Sequence, residues 1–311
     1  MRKRTLGVGL AIVAGLVAGC QAGPQPATRA SRQPPSPSTP QRIVSLVPAG
    51  TQMLFAIGAG PRVVGVSSFD RDPAEVRRLP KVGALLDPST EQIVRLRPDL
   101  VVIDASQVEV RDTLTGMRIP VMTYSHPGLS DIMKTIRELG ARLGLEVPAG
   151  RVAAVMESRL DRVRAGVAGR PRPSALIVFG REPASLRGIY ASGGVGFLAD
   201  IVDVAGGRNV FADIRRESLQ AGTEIILAAR PEVIVELQPG EGGAGIRQAE
   251  SAWQALASVP AVANRRVYVL VGDEFVVPGP RVAEAAERIA RLLHPDASWE
   301  GAAGATPRRR N

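Results

Sequence analysis

Short β-branched runs alternate with stretches of helical spacing through most of this chain. Apolar runs at 43–47, 63–66, 100–103 and 120–123, then at 175–179, 233–236 and 267–270, are bounded by turn residues and predict buried strands. Between the two groups Val152, Val155, Met156, Leu160 and Val163 recur at helical spacing, with Pro148 near the start and Gly169 past the end, so one long helix is predicted over 148–169. Arg170-Pro171-Arg172-Pro173 stops it. Strands that alternate with helices build βα units and mainly parallel sheets. The pattern therefore predicts an α/β fold of two Rossmann-like αβ lobes, 42–147 and 170–296, joined by one long backbone helix.

An internal repeat supports the two lobes. Residues 90–102, from Thr90-Glu91 to Val102, align without gaps on residues 223–235, from Thr223-Glu224 to Val235, at a constant offset of 133. In each copy a Thr is placed to cap a short helix, Arg-Pro ends it, an acid follows and a buried strand begins. Glu91 and Glu224 fall in the first turns of these helices, where a carboxylate favours the helix dipole for local reasons. The same placement would let two symmetry-related acids meet two basic pockets on a symmetric partner.

The N-terminus has another pattern. Arg2-Lys3-Arg4 precedes thirteen apolar or Gly residues from Leu6 to Ala18, too short to span a bilayer and of the length of an export signal. The run ends in Val17-Ala18-Gly19-Cys20, similar to the bacterial lipobox, which makes Cys20 the expected lipidation site and 1–19 a lipoprotein signal peptide. Segment 20–41 has six prolines and no acid, the composition of a disordered tether, and 297–311 reads as a disordered basic tail. The expected product is exported and held at a membrane by an acyl chain rather than by a spanning helix.

Charge changes the picture less than its total suggests. The 311 residues carry a formal +9, but nine cations lie at Arg2, Lys3, Arg4, Arg29, Arg32, Arg42, Arg308, Arg309 and Arg310, which leaves 43–296 at +1. With 4% aromatics, such a body offers neither a phosphate-tracking stripe nor a stacking platform, so no nucleic-acid partner is expected. One Cys and two His exclude a Cys/His zinc site and a disulfide framework; no metal site and no cofactor are expected.

Two lobes on one connector leave a cleft lined by the loops at strand C-terminal ends. Those loops carry Pro48, Ser67-Ser68-Phe69-Asp70, Leu85, Asp104, Tyr124-Ser125-His126, Arg181, Tyr190-Ala191-Ser192 and Gly272-Asp273-Glu274-Phe275. They contain no reactive set: Ser125, His126 and Asp104 lack a nucleophile elbow, and no enzyme is expected. Gly193-Gly194-Val195-Gly196 lacks the phosphate-loop pattern and reads as a helix-start turn, and His294 reads as a C-terminal helix cation.

Taken together, residues 42–51, Gly65-Val66-Ser67-Ser68, Leu79-Pro80-Lys81-Val82-Gly83, residues 93–101, residues 205–211, Trp253, Arg266-Val267-Tyr268 and Pro278-Gly279-Pro280-Arg281 resemble the periplasmic binding proteins for cobalamin, haem and ferric siderophores. The resemblance covers 42–295 and is nearest the cobalamin-binding branch. It implies a monomeric protein that delivers a metal chelate to an ABC permease, with Glu91 and Glu224 docking to permease arginines. It implies ligand contacts at Pro48, Ser68, Phe69, Leu85, Tyr124, His126, Arg181, Tyr190, Asp273 and Phe275. A corrinoid is the first expectation. Tyr124, His126 and Tyr190 would suit haem, and Arg181 or Arg187 a ferric siderophore. The sequence departs from the cobalamin branch at Leu85 and Ser218, which stand for cleft tryptophans, and at Val276 and Val277, which stand for an acid and an arginine. A cleft-serine hydrolase and a structural lipoprotein are the competing classes.

Overall fold

A computed structural model describes residues 39–125, 128–240 and 246–299; Cys20, the proposed signal and most of the tether, His126, and the tail from 300 lie outside them. The first lobe runs β1 (Ile43–Ser45), α1 (Pro48–Ala56), β2 (Val63–Val66), α2 (Thr90–Arg95), β3 (Leu100–Asp104), α3 (Val108–Gly116), β4 (Val121–Tyr124) and α4 (Leu129–Leu143). Its four strands are all parallel, in the order β2-β1-β3-β4. Alternate residues of β1 and β3 enter different clusters: Ile43, Leu100 and Val102 pack on one face, Val44, Val101 and Ile103 on the other. Both faces are covered, which is why these strands are unbroken apolar runs in the sequence.

Next comes α5 (Glu146–Val167), and the second lobe follows as β5 (Ser174–Gly180), β6 (Ile189–Ser192), α6 (Phe197–Val204), β7 (Arg208–Asn209), β8 (Ser218–Ala221), α7 (Thr223–Ala229), β9 (Val233–Gln238), α8 (Ile246–Ala252), α9 (Pro260–Ala263), β10 (Val267–Val271) and α10 (Val282–Leu293). Its sheet is ordered β10-β9-β5-β6-β8, with β7 beside the start of β5. β10, β9, β5 and β7 run parallel, and β6 alone is reversed, pairing antiparallel with both of its neighbours, β5 and β8. Tyr190-Ala191-Ser192 is thus a strand and not the loop expected. Gly193 and Gly194 then lie against the 212–217 backbone, where the N–H of Gly193 donates to Glu217 O at 3.1 Å and that of Gly194 to Ile214 O at 2.8 Å. A Cβ at either glycine would strike a backbone carbonyl, so this Gly pair serves close packing before the helix start.

The repeat has a structural meaning that the sequence left open. Arg97 and Arg230, equivalent in it, end their helices in the left-handed region at φ 48° and 46°. The acids two residues on then bind the start of a neighbouring strand: Asp99 accepts from the N–H of Gln41 and Arg42 at 2.8 Å each, and Glu232 accepts from Ser174 N at 2.7 Å and Ser174 Oγ at 2.9 Å. Hydrogen bonding from Ser174 N–H holds the Glu232 carboxyl below its usual range. The helix caps differ from expectation. Ser89 Oγ, not Thr90, accepts from Gln92 N at 3.4 Å, and α7 begins at Gly222 without a side-chain cap.

The 22 residues of α5 span about 33 Å at 1.5 Å per residue. Pro148 sits inside its first turn, where a missing N–H costs nothing, so the helix starts two residues before the proline. Ala149, Ala153, Met156, Leu160, Val163 and Val167 form its buried face. Gly140 of α4 lies against Ala149 with no space for a side chain, and Arg159 pairs with Glu284 of α10 at 2.8 Å. One apolar cluster runs from Ile43 through α4, α5, α6 and α10 to Leu293, so the lobes share a helical layer. Among the described residues no helix is long and apolar enough to cross a membrane.

Two buried groups stand out from this core. Asp70 is 3% exposed, and neither carboxylate oxygen has a hydrogen-bond partner. Burial pushes its pKa up to about 6, an effect that the nearby Lys81 ammonium offsets only in part. His294 is buried with Nε2 3.2 Å from Gly206 O, and burial lowers its pKa, so it acts as a hydrogen-bonding residue rather than a dipole cation.

Three outcomes follow from this packing. Ligand loading should leave the radius of gyration by small-angle scattering nearly unchanged, since bending α5 would break its backbone bonds, and Leu160→Ala should cost about 2–5 kcal/mol in denaturant unfolding. Asp70, whose folded pKa is raised, disfavours the fold increasingly as pH climbs from 3.8 to about 6 and fully above it. Asp70→Asn should therefore raise the melting temperature at pH 7.5 and hardly change it at pH near 4.

Candidate functional site

The C-terminal strand ends of the two sheets face each other. Tyr124, the last residue of β4, donates its hydroxyl to Pro278 O at 2.6 Å in the loop after β10. Arg281 reaches back from the second lobe to Asp72 at 3.2 Å while also pairing with Glu274 at 3.1 Å and Glu284 at 3.4 Å. Asp200 of α6 accepts from Leu129 N at 2.9 Å and so caps α4 from the other lobe. Arg71 approaches Gly240 closely enough that a Cβ there would lie 2.9 Å from its Nη1. These contacts form the floor and one side of the cleft.

The second lobe supplies its most concave part. A pocket of about 280 Å³ is walled by Phe179 at the end of β5, Phe197 and Leu198 at the start of α6, Pro239 just after β9, and Val276. Glu217 and Ser218 give it one carboxylate and one hydroxyl. Apolar walls with few polar groups are the usual form of a small-molecule site, and strand C-terminal ends are its usual place in α/β folds. The first lobe presents exposed loops after its strands. Phe69 is 58% exposed beside Ser68, whose N–H donates to Gly83 O at 2.8 Å. Leu85 and Leu86 stand out from the loop that the Gly83–Pro88 bridge closes, and Gln107 Nε2 holds the Leu85 carbonyl at 3.0 Å.

The candidates divide. Pro48, half-buried at the first turn of α1, and the exposed Ser68, Phe69 and Leu85 belong to the first lobe. Tyr190 is 48% exposed and packs beside Gly180 at the end of β5. Asp273 accepts from Gly240 N at 2.8 Å beside the cleft. Three expectations need correction. Tyr124 is 1% exposed and its hydroxyl is committed to Pro278. Phe275 is fully buried, with the Arg288 guanidinium 4.6 Å from its ring centroid. Arg181 turns inward: its side chain, 3% exposed, donates to Glu236 at 3.0 Å, to Ser185 O at 2.7 Å and to Ala249 O at 3.0 Å. Trp253 Nε1 donates to the same Glu236 oxygen at 3.0 Å. A buried ion with every donor engaged is part of the core and not a ligand arm. His126 lies outside the described residues.

Phe179, Phe197, Pro239 and Glu217 were missed by the sequence reading. For Phe179 and Pro239 the signal was an aromatic or proline at the end of a buried run, a position that only the sheet topology makes a wall; nothing local marked Phe197 or Glu217. Glu91 and Glu224 are both exposed in the first turns of α2 and α7, and Glu91 pairs with Arg95 at 2.7 Å on its own helix. Val94 and Leu227, also 133 positions apart, are partly exposed one turn beyond them.

The profile of a family described as periplasmic binding protein matches residues 43–273. The chain is 30% identical over 254 residues to the vitamin B12-binding protein of Salmonella choleraesuis (strain SC-B67), a match covering 81% of this chain and 90% of that protein. It is 29% identical to the uncharacterized ABC transporter substrate-binding lipoprotein YvrC of Bacillus subtilis (strain 168), covering 83% and 81%. Its structure is similar to the periplasmic heme-binding protein RhuT from Roseiflexus sp. RS-1 in apo form, with a TM-score of 0.70 at 26% identity over 82% of this chain and 98% of that one. A two-lobed fold closed by a shared helical layer, a cleft at its strand ends, and a profile that spans the folded body agree: the chain belongs to the periplasmic binding protein family, as a substrate-binding protein of an ABC transporter.

Proposed function

We propose that this protein captures a metal chelate, first of all a corrinoid, between its lobes and delivers it to an ABC permease while Cys20 anchors it to the outer face of a membrane. The observation that carries the ligand class is the apolar pocket of Phe179, Phe197, Pro239 and Val276, edged by Glu217 and Ser218. A corrin macrocycle already holds its own metal, so the protein needs to offer apolar wall and hydrogen-bonding rim rather than a ligating side chain. Haem is the second reading. Tyr190, half exposed near a cleft strand end, supports it, as does the likeness to RhuT. A ferric siderophore loses its best candidate with Arg181, whose donors are spent in the core.

The repeat supports two-point docking. Glu91 and Glu224, each with an aliphatic neighbour one turn on, present the same surface twice to a two-fold permease. The exposed Glu91–Arg95 pair is worth about 0.3–0.5 kcal/mol, little enough to be exchanged for a partner's arginine.

Titration of the protein with cyanocobalamin, hemin and a ferric siderophore, followed by absorption and calorimetry, should show saturable corrinoid binding. Phe179→Ala should weaken that binding about tenfold, the effect of removing one aromatic wall. Hemin binding with a Soret shift lost in Tyr190→Phe, and no corrinoid binding, would replace the corrinoid by haem. In a reconstituted importer, Glu91→Ala with Glu224→Ala should abolish stimulated transport and leave chelate affinity and melting temperature almost unchanged; loss of ligand binding instead would contradict the docking role. Cys20→Ala should free the protein from membranes after a salt wash.

A further inference from the structure

The edge of the first sheet opposite the cleft is a separate surface. Each of its four strands is preceded by an arginine: Arg42 before β1, Arg62 before β2, Arg97 before β3 and Arg118 before β4. The strands are parallel, so these residues share one edge. The end of α4 belongs to it too, because Arg62 Nη1 donates to Leu143 O at 2.9 Å. Along the outer strand β4 runs an open groove of about 430 Å³, lined by Arg111, Arg118 and Arg142 with Thr115 and Thr123.

Dipole compensation accounts for a cation at each helix end. It does not require three guanidiniums to converge with two hydroxyls on one open groove. The acids nearby neutralise little. Both oxygens of Asp99 are taken by backbone N–H groups, Asp112 pairs with Arg111 at 2.9 Å, and Glu146 lies in the first turn of α5. Among the described residues neither Arg118 nor Arg142 makes an ion pair. The body is therefore nearly neutral in sum but sorted in space, with Glu91 on the cleft side and a cationic groove on the other.

The folded chain also enters at this edge. Arg62 Nη1 lies 3.4 Å from Pro40 O, and a Cβ at Gly144 would lie 3.9 Å from the Thr39 side chain. Residues 21–38, which precede it, hold two arginines and no acid and reach at most about 60 Å from Cys20. We infer that this edge of the first lobe binds the phosphate headgroups of anionic phospholipids, seating the body on the membrane with its cleft turned outward. Clustered cations beside a surface-proximal segment are the known physical basis of such binding, and three guanidiniums with the Thr123 hydroxyl suit a phosphodiester, the Thr115 hydroxyl being spent on Arg111 O at 2.7 Å.

The test is flotation of the mature chain, from residue 20 onward and carrying Cys20→Ala, which removes both the apolar signal and any acyl contribution, with vesicles of phosphatidylcholine alone or with about 30% phosphatidylglycerol. Binding is expected only with the anionic vesicles, and it should fall steeply with salt. Arg111→Gln, Arg118→Asn and Arg142→Gln together should lower the partition coefficient roughly 100-fold, while Arg308→Gln, Arg309→Gln and Arg310→Gln leave it unchanged. Arg142→Glu alone, on the exposed end of α4, serves if the triple variant fails to fold, and should lower the coefficient at least tenfold. Binding that survives the groove substitutions, or that is lost with the tail substitutions alone, overturns the proposal. So does saturable binding of inorganic phosphate without any vesicle binding, which would make the groove a site for the free anion.

Discussion

The cleft depends on a helix that has no room to bend. α5 is held by Ala149 against Gly140, by Leu160 and Val163 in the shared cluster, and by Arg159 on Glu284, so both lobes are cemented to one rod. Two extended hinge strands would allow a wide clam motion, because strand dihedrals shift without loss of helical bonds. A packed helix of this length does not. The protein consequently recognises its ligand with a nearly preformed cleft, and adjustment is left to loops such as 67–70 and 83–88.

Rigidity is reinforced by how the charges are spent. Arg181, Glu236 and Trp253 form a closed hydrogen-bonded set inside the second lobe, and Arg281 draws Asp72, Glu274 and Glu284 together across the lobes. Removing one member of the buried Arg181–Glu236 pair would leave an uncompensated charge, at a cost of about 3–5 kcal/mol. Tyr124 and Asp200 add neutral and charged hydrogen bonds from opposite directions across the same junction. These residues keep the cleft in shape by being unavailable to the ligand.

Much of this was legible in the sequence. The seven apolar runs became strands because both faces of each central strand are buried, and the connecting helix announced itself by period and by its terminal proline and glycine. β6 and β8 were not legible, since Ile189–Ser192 and Ser218–Ala221 are short, partly polar and lie towards the sheet's edge. The site was harder. Phe69 and Leu85 could be assigned to exposed loops because loops after strands are easy to locate. Arg181 and Tyr124 were misread because nothing local tells a side chain that points into a cleft from one that turns back to a distant Glu236 or Pro278. Phe179 and Phe197, 18 positions apart, meet only once the sheet order brings β5 beside α6.

The repeat unites fold and function. Its acids Asp99 and Glu232 tie strand starts, and its glutamates Glu91 and Glu224 are exposed in the first turns of their helices, so one duplicated unit supplies both a fastening and an outward-facing surface. The central claim is that a rigid two-lobed body takes its ligand against the Phe179–Phe197 pocket. Amide hydrogen exchange with and without saturating cyanocobalamin tests it most directly. Exchange should slow at 195–198, 217–218 and the 67–70 loop, with α5 unchanged. Protection absent from the pocket, or a change spread along α5, would contradict it.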